Sequence, residues 1–123
     1  MGNKAVIERI EELKNKILDE WRQRPNETIP LCYELRSLAD EHDDESARGF
    51  AIFFLGYCYY GLNDLENAQK FLMVSRTYLL KTEQWELLGK NYNVLGIIAD
   101  CSGDHAFAID YFFQGLVYSN EYN

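Results

Sequence analysis

The chain has 123 residues, 47% of them hydrophobic, with 20 acidic side chains against 12 basic ones and a formal charge of −8. That length holds one modest core or a few stacked small units, and so apolar a composition is not that of a disordered chain. The acidic balance opposes the counterion release that drives nucleic-acid binding, and it argues equally against an anionic membrane surface. No uncharged run approaches the roughly 20 residues of a membrane-spanning helix, and the opening MGNKAVIERIEELKNK has no apolar block like a signal peptide. Cys32, Cys58 and Cys101, odd in number and widely spaced, read as reduced thiols on apolar helix faces, so a cytoplasmic location is expected.

Val6, Ile10, Leu13, Ile17, Leu18 and Trp21 recur at three- and four-residue steps and predict a helix from about Lys4 to Arg22, ended by Pro25. Asn26 or Thr28 is the expected cap of a second helix, with Pro30 in its first turn and Cys32, Leu35, Leu38 and Ala39 facing inward. The acidic run Asp40 to Glu45 closes that element. Further helices are predicted over Ser46–Tyr60, Asp64–Lys81, Gln84–Cys101 and Asp104–Ser119. No segment alternates with period two, so the fold class is all-α.

The chain also repeats itself. Leu55-Gly56 and Leu95-Gly96 stand 40 positions apart, as do Asn63-Asp64 and Gly103-Asp104, Ala68 and Ala108, Leu72 and Phe112, and Ser75 and Gly115. In antiparallel helices joined by a short turn, Gly56 or Gly96 admits the facing helix, and Ala68 or Ala108 makes the complementary small contact. Leu72 or Phe112 fills the groove beside it. Asp64 and Asp104 are placed to cap the second helix of each pair. Ser75 and Gly115 keep that helix slim where the next pair docks.

Leu55-Gly56-x-x-Tyr59 followed by Asn63-Asp64-Leu65-x-x-Ala68-x-x-x-Leu72-x-x-Ser75 resembles a tetratricopeptide repeat. Leu95-Gly96-x-x-Ala99, Gly103-Asp104, Ala108, Phe112 and Gly115 resemble the same pattern, with Tyr92 near the aromatic position that opens it and Ala99 where the family favours Tyr. The resemblance implies a right-handed superhelix of about three helical hairpins in one domain: a degenerate copy over 4–42, then 46–81 and 84–119. In the degenerate copy Leu35-Arg36-Ser37 precedes Ser75-Arg76-Thr77 by 40, but Asn15 and Lys16 replace Leu-Gly. The family repeat is 34 residues, so roughly 6 extra residues must lie in longer helices or turns.

Metal binding would want Cys and His at ligand spacing, which Cys32, Cys58, Cys101, His42 and His105 do not show. His105 after a helix cap reads as a solvated imidazole rather than the base of a Cys101 nucleophile. Asp40, Glu41, Asp43, Asp44 and Glu45 lack the calcium-loop spacing. Single glycines form no phosphate loop. The reading contains no catalytic residue, cofactor or metal, and the segment is not expected to be an enzyme.

What the resemblance implies is a protein-interaction module, since in such repeats the first helix of each pair lines the concave surface where partners bind. Phe50, Phe53, Tyr57 and Tyr60 then face that side, with Lys90, Asn93, Ile97 and Asp100 at the corresponding positions of the next copy. Phe53 and Phe54 also suit a core shared between pairs. With Lys90 the only base among them, an apolar or aromatic anchor on a peptide or partner protein suits the surface better than a clamped carboxylate tail. The last helix, 108-AIDYFFQGLVYSNEY-122, is apolar over most of its circumference. Either further repeats follow in a longer chain, the expectation favoured here, or the face pairs with another copy in a dimer or spacer. Long repeats of this kind are similar to the N-terminal regions of bacterial signalling proteins, notably diguanylate cyclases of the GGDEF type, which implies an input module.

Overall fold

The computed structural model describes residues 2–122, with side-chain surroundings for residues 3–119. Among the described residues it holds six α-helices and no strand: α1 Gly2–Glu20, α2 Pro25–Glu41, α3 Glu45–Gly61, α4 Leu65–Lys81, α5 Trp85–Cys101 and α6 His105–Tyr122. None is long and apolar enough to cross a membrane. The all-α expectation therefore holds, and the predicted helices fall within a few residues of those found.

The beginning of the chain differs in detail. α1 stops at Glu20, and Pro25 opens α2 rather than closing α1, because a proline in the first helical position lacks only an N–H that has no intrahelical acceptor. Neither Asn26 nor Thr28 is the cap. Arg24 holds that position without a side-chain bond, and Thr28 Oγ1 donates back to the Arg24 carbonyl at 2.7 Å. Pro30 lies inside α2. Leu18, expected on the inner stripe, is half exposed.

From Pro25 onward the helices start every 20 residues, at Pro25, Glu45, Leu65, Trp85 and His105. The four from α2 to α5 are 17 residues each, so most of every 20-residue step is helix. Each turn closes alike: the N–H of Asp44, Asp64, Gln84 or Asp104 reaches back to the carbonyl of Ala39, Tyr59, Leu79 or Ala99, always at 2.9 Å. This closure satisfies a helix-terminal carbonyl and requires a left-handed residue just before it. Asp43, Asn63, Glu83 and Gly103 supply that residue, at φ 52°, 61°, 59° and 81°. Asp44 and Asp64 then cap α3 and α4, accepting from Ala47 N at 3.0 Å and Asn67 N at 3.3 Å. Glu83 pays a steric penalty that Gly103 avoids, so Glu83→Gly is expected to stabilise the fold by about 1 kcal/mol. A lowered urea midpoint for this variant would contradict that account of the turn.

The helices pair as hairpins, α1 with α2, α3 with α4 and α5 with α6, and each hairpin leans on the next through α2–α3 and α4–α5. α1 also meets α3, and α3 meets α5, whereas the second helices do not approach one another as closely. The first helices therefore form the tighter row. α3 lies in the middle of it and buries Phe50, Ala51, Ile52, Phe53, Phe54 and Leu55 consecutively, which is why its sequence is apolar all round. Leu13, Ile17, Leu35, Leu72, Leu79, Leu88 and Leu95 carry the core through all three hairpins, each burial worth roughly 1.5–3 kcal/mol.

Equivalent residues meet at equivalent depths. A Cβ on Gly56 would lie 2.8 Å from Leu72 Cγ, and one on Gly96 would lie 2.6 Å from the Phe112 ring. Gly49 and Gly89, also 40 apart, are pressed in the same way by Tyr78 and Ser119, a second small pair that the Leu-Gly motif does not reveal. Ala68 and Ala108 are buried as expected. Ser75 is buried where the next hairpin docks, but Gly115 works differently: it lies against Asn93 and Gly89 of α5, inside its own hairpin. Phe112 covers Gly96 yet stays 38% exposed, since among the described residues no further helix packs on the outer side of α6.

Candidate functional site

The row of first helices carries a groove of about 430 Å³. Leu18 comes from the end of α1 and Trp21 and Arg22 from the turn that follows it, Phe50, Phe54 and Tyr57 from the middle of α3, and Leu87 and Lys90 from α5, with Gln84 and Glu86 beside them. Parallel first helices place the end of one beside the middle of the next, so the groove runs obliquely across the row.

Its floor is one aromatic cluster. The Trp21 ring lies 4.6 Å from Tyr57 and 6.0 Å from Phe54, Phe50 lies 4.7 Å from Phe54, and Phe53 meets Phe54 edge-on at 5.0 Å. Such contacts are worth about 0.5–1.5 kcal/mol each beyond area burial, so the floor is rigid before anything binds. Burial raises the Tyr57 phenol to about 12, partly opposed by the nearby Arg22 charge. Tyr57 therefore offers an un-ionised hydroxyl at neutral pH.

Of the residues expected on this surface, Phe50 and Tyr57 line the groove and Lys90 stands exposed at its edge. Phe53 is fully buried beneath the floor, and Tyr60 is partly buried against the core. Asn93 turns toward Gly115 of α6. Ile97 is 37% exposed, and the Asp100 carboxylate lies 2.8 Å from His105 Nδ1 at the surface. None of Phe53, Tyr60, Asn93, Ile97 and Asp100 is among the groove's lining residues. Sequence reasoning missed Trp21 and Arg22, which fall beyond the last turn of α1. The signal was their departure from the repeat: the same positions of later copies hold Gly61-Leu62 and Cys101-Ser102.

A wider notch of about 540 Å³ lies where α1 meets the α2–α3 turn, but its acids are already engaged. Asp44 caps α3, Glu45 bonds Lys81 at 2.9 Å, and Asp43 lies 3.8 Å from Arg48, whose Nε donates to Asp40 at 2.6 Å. Cys32 and Cys58 are buried between α2 and α3, and Cys101 is exposed rather than on an apolar face. The hydrogen bond shared with Cys58, together with burial, pushes the Cys32 thiol up. Among the described residues no group of three or more His, Cys, Asp or Glu is placed to hold a metal ion.

Fold and groove together define an all-α chain of three leaning helical hairpins with an aromatic-floored surface groove. Comparison with protein-family models, curated proteins and solved structures finds no match.

Proposed function

We propose that the chain is a protein-interaction module of tetratricopeptide-like superhelical architecture that binds the apolar anchor of a peptide or partner protein in this groove. The observation that carries the reading is the preformed aromatic floor, in which Trp21 and Tyr57 stay partly exposed over the buried rings of Phe50 and Phe54. The equivalent depths of Gly56 and Gly96 support the repeat architecture. The place of such a module at the input end of a bacterial signalling protein rests on the residue resemblance alone.

Panning a random dodecapeptide library on the protein tests the reading. Recovered peptides are expected to share a large apolar side chain. Replacing Trp21 and Tyr57 together by Ala is expected to weaken their binding by about 10-fold or more with helicity retained. Recovery of no binders, or equal affinity for the double variant, counts against it.

A second reading has its own observation. On α6, Ile109 is 69% exposed and Phe113 63%, with Leu116 and Val117 beside them, and Asp110 is the one acid at the edge of this stripe among the described residues. The opposite end of the stack is different: Glu8, Glu11, Glu12 and Asn15 are exposed on α1. Burying those acids against the α6 stripe would be unfavourable, so copies would pair α6 to α6 and make the chain a dimeriser or spacer. Sedimentation that finds only monomer from micromolar to millimolar concentration removes this reading.

A further inference from the structure

We infer that the groove selects a segment whose apolar anchor stands next to a carboxylate, received by Arg22 at the Tyr57 end. The inference rests on the peptide-binding reading above and narrows it to a chemistry. In a chain of net charge −8, the groove runs against the overall balance. Arg22 and Lys90 line it, and Lys14 lies over Phe50 with its Nζ 5.6 Å from the ring centre. The single acid of the lining, Glu86, is taken up by Lys90 at 3.3 Å.

Arg22 is the base left over. Its guanidinium carbon lies 5.2 Å from the Trp21 ring centre, and among the described residues no carboxylate comes within salt-bridge distance of it. A guanidinium spread over an indole is held in place while its N–H edge stays free to donate in a planar fork to a carboxylate. The Trp21 ring in turn lies 4.6 Å from that of Tyr57, which brings a phenol to the same end of the groove. Repeat packing gives no reason for Arg22, because later copies have Leu62 and Ser102 there. The isolated side-chain spacing of a sequence cannot show this: Lys90 is the only base at the repeat's own groove positions, and Arg22 arrives from the turn after another helix.

The test uses four synthetic peptides titrated into the intact chain at low salt and followed by amide nuclear magnetic resonance shifts. They are acetyl-Phe-Leu-Glu-amide, its Gln and Lys counterparts, and acetyl-Phe-Leu with a free terminal carboxylate. The Glu peptide is expected to bind about 10-fold more tightly than the Gln peptide, and the Lys peptide more weakly than both. Tight binding of the free acid alone assigns the site to chain termini, whereas tight binding of the Glu peptide assigns it to internal acidic residues; both uphold a carboxylate. Arg22→Gln is expected to reduce the Glu-to-Gln ratio to within about 2-fold. Equal affinity for the Gln peptide and both carboxylate peptides, or a ratio that survives Arg22→Gln, overturns the inference and leaves the groove reading standing. Absence of binding by all four peptides overturns both.

Discussion

Gly49→Ala is expected to destabilise the protein by about 2 kcal/mol, more than Gly96→Ala, even though Gly96 has the shorter contact. An alanine gains about 1 kcal/mol of helix propensity at either place, so the difference comes from what the new methyl meets. At Gly49 it meets Tyr78 Cβ at 2.9 Å and the Leu79 backbone nitrogen at 3.5 Å. A Cβ is tied to the main chain, so relief demands that α3 and α4 move apart, and such overpacking typically costs 1–3 kcal/mol or somewhat more. At Gly96 the obstacle is the Phe112 ring, whose nearest atom is 2.6 Å away. That ring is 38% exposed and can swing into solvent, which leaves the net change within about 1 kcal/mol. Urea unfolding followed by circular dichroism ranks the two variants, and Gly96→Ala proving the more damaging would refute the packing argument.

Asn91→Asp is expected to be worse, and in a way that depends on pH. Asn91 is fully buried at the seam between the second and third hairpins. Its Nδ2 donates to the Leu72 carbonyl and to Ser75 Oγ, both at 2.8 Å, and its Oδ1 has no partner. A carboxylate there loses the donor that faces the Leu72 oxygen and carries its charge into an apolar seam. It folds only when protonated, so its folded pKa lies above the unfolded value of roughly 4. The variant is closest to the native protein below the unfolded pKa of roughly 4 and loses about 1.4 kcal/mol for each pH unit from there up to its raised folded pKa, as much as roughly 4 kcal/mol at pH 7. Asn91→Leu, which removes the unpaired oxygen while Ser75 Oγ still donates to Leu72 O, is expected to fall within about 1 kcal/mol of the native protein. Parallel urea titrations at pH 4 and pH 7 check both; a penalty for Asn91→Asp that does not grow with pH would show that the seam admits water.

Helix type and number were legible because a 3.6-residue apolar period is local information. The repeat offset was legible too, since Gly56 and Gly96 face Leu72 and Phe112 as their spacing implied. Asn91 was not, because on α5 it resembles any other polar position and becomes a clamp only when Leu72 and Ser75 are brought beside it. The same reason hid Trp21 and Arg22.

The order of residues by itself thus determined the six helices, the capping acid Asp64, and the small residues that let paired helices close. These depend on neighbours within one turn or at one fixed offset. Only the tertiary structure decided which aromatics became floor and which became core, that Arg22 shares a groove with Phe50 and Lys90, and that Gly115 serves its own hairpin. Those outcomes depend on how far one hairpin slides along the next, a quantity summed over contacts from separate helices that no single segment encodes.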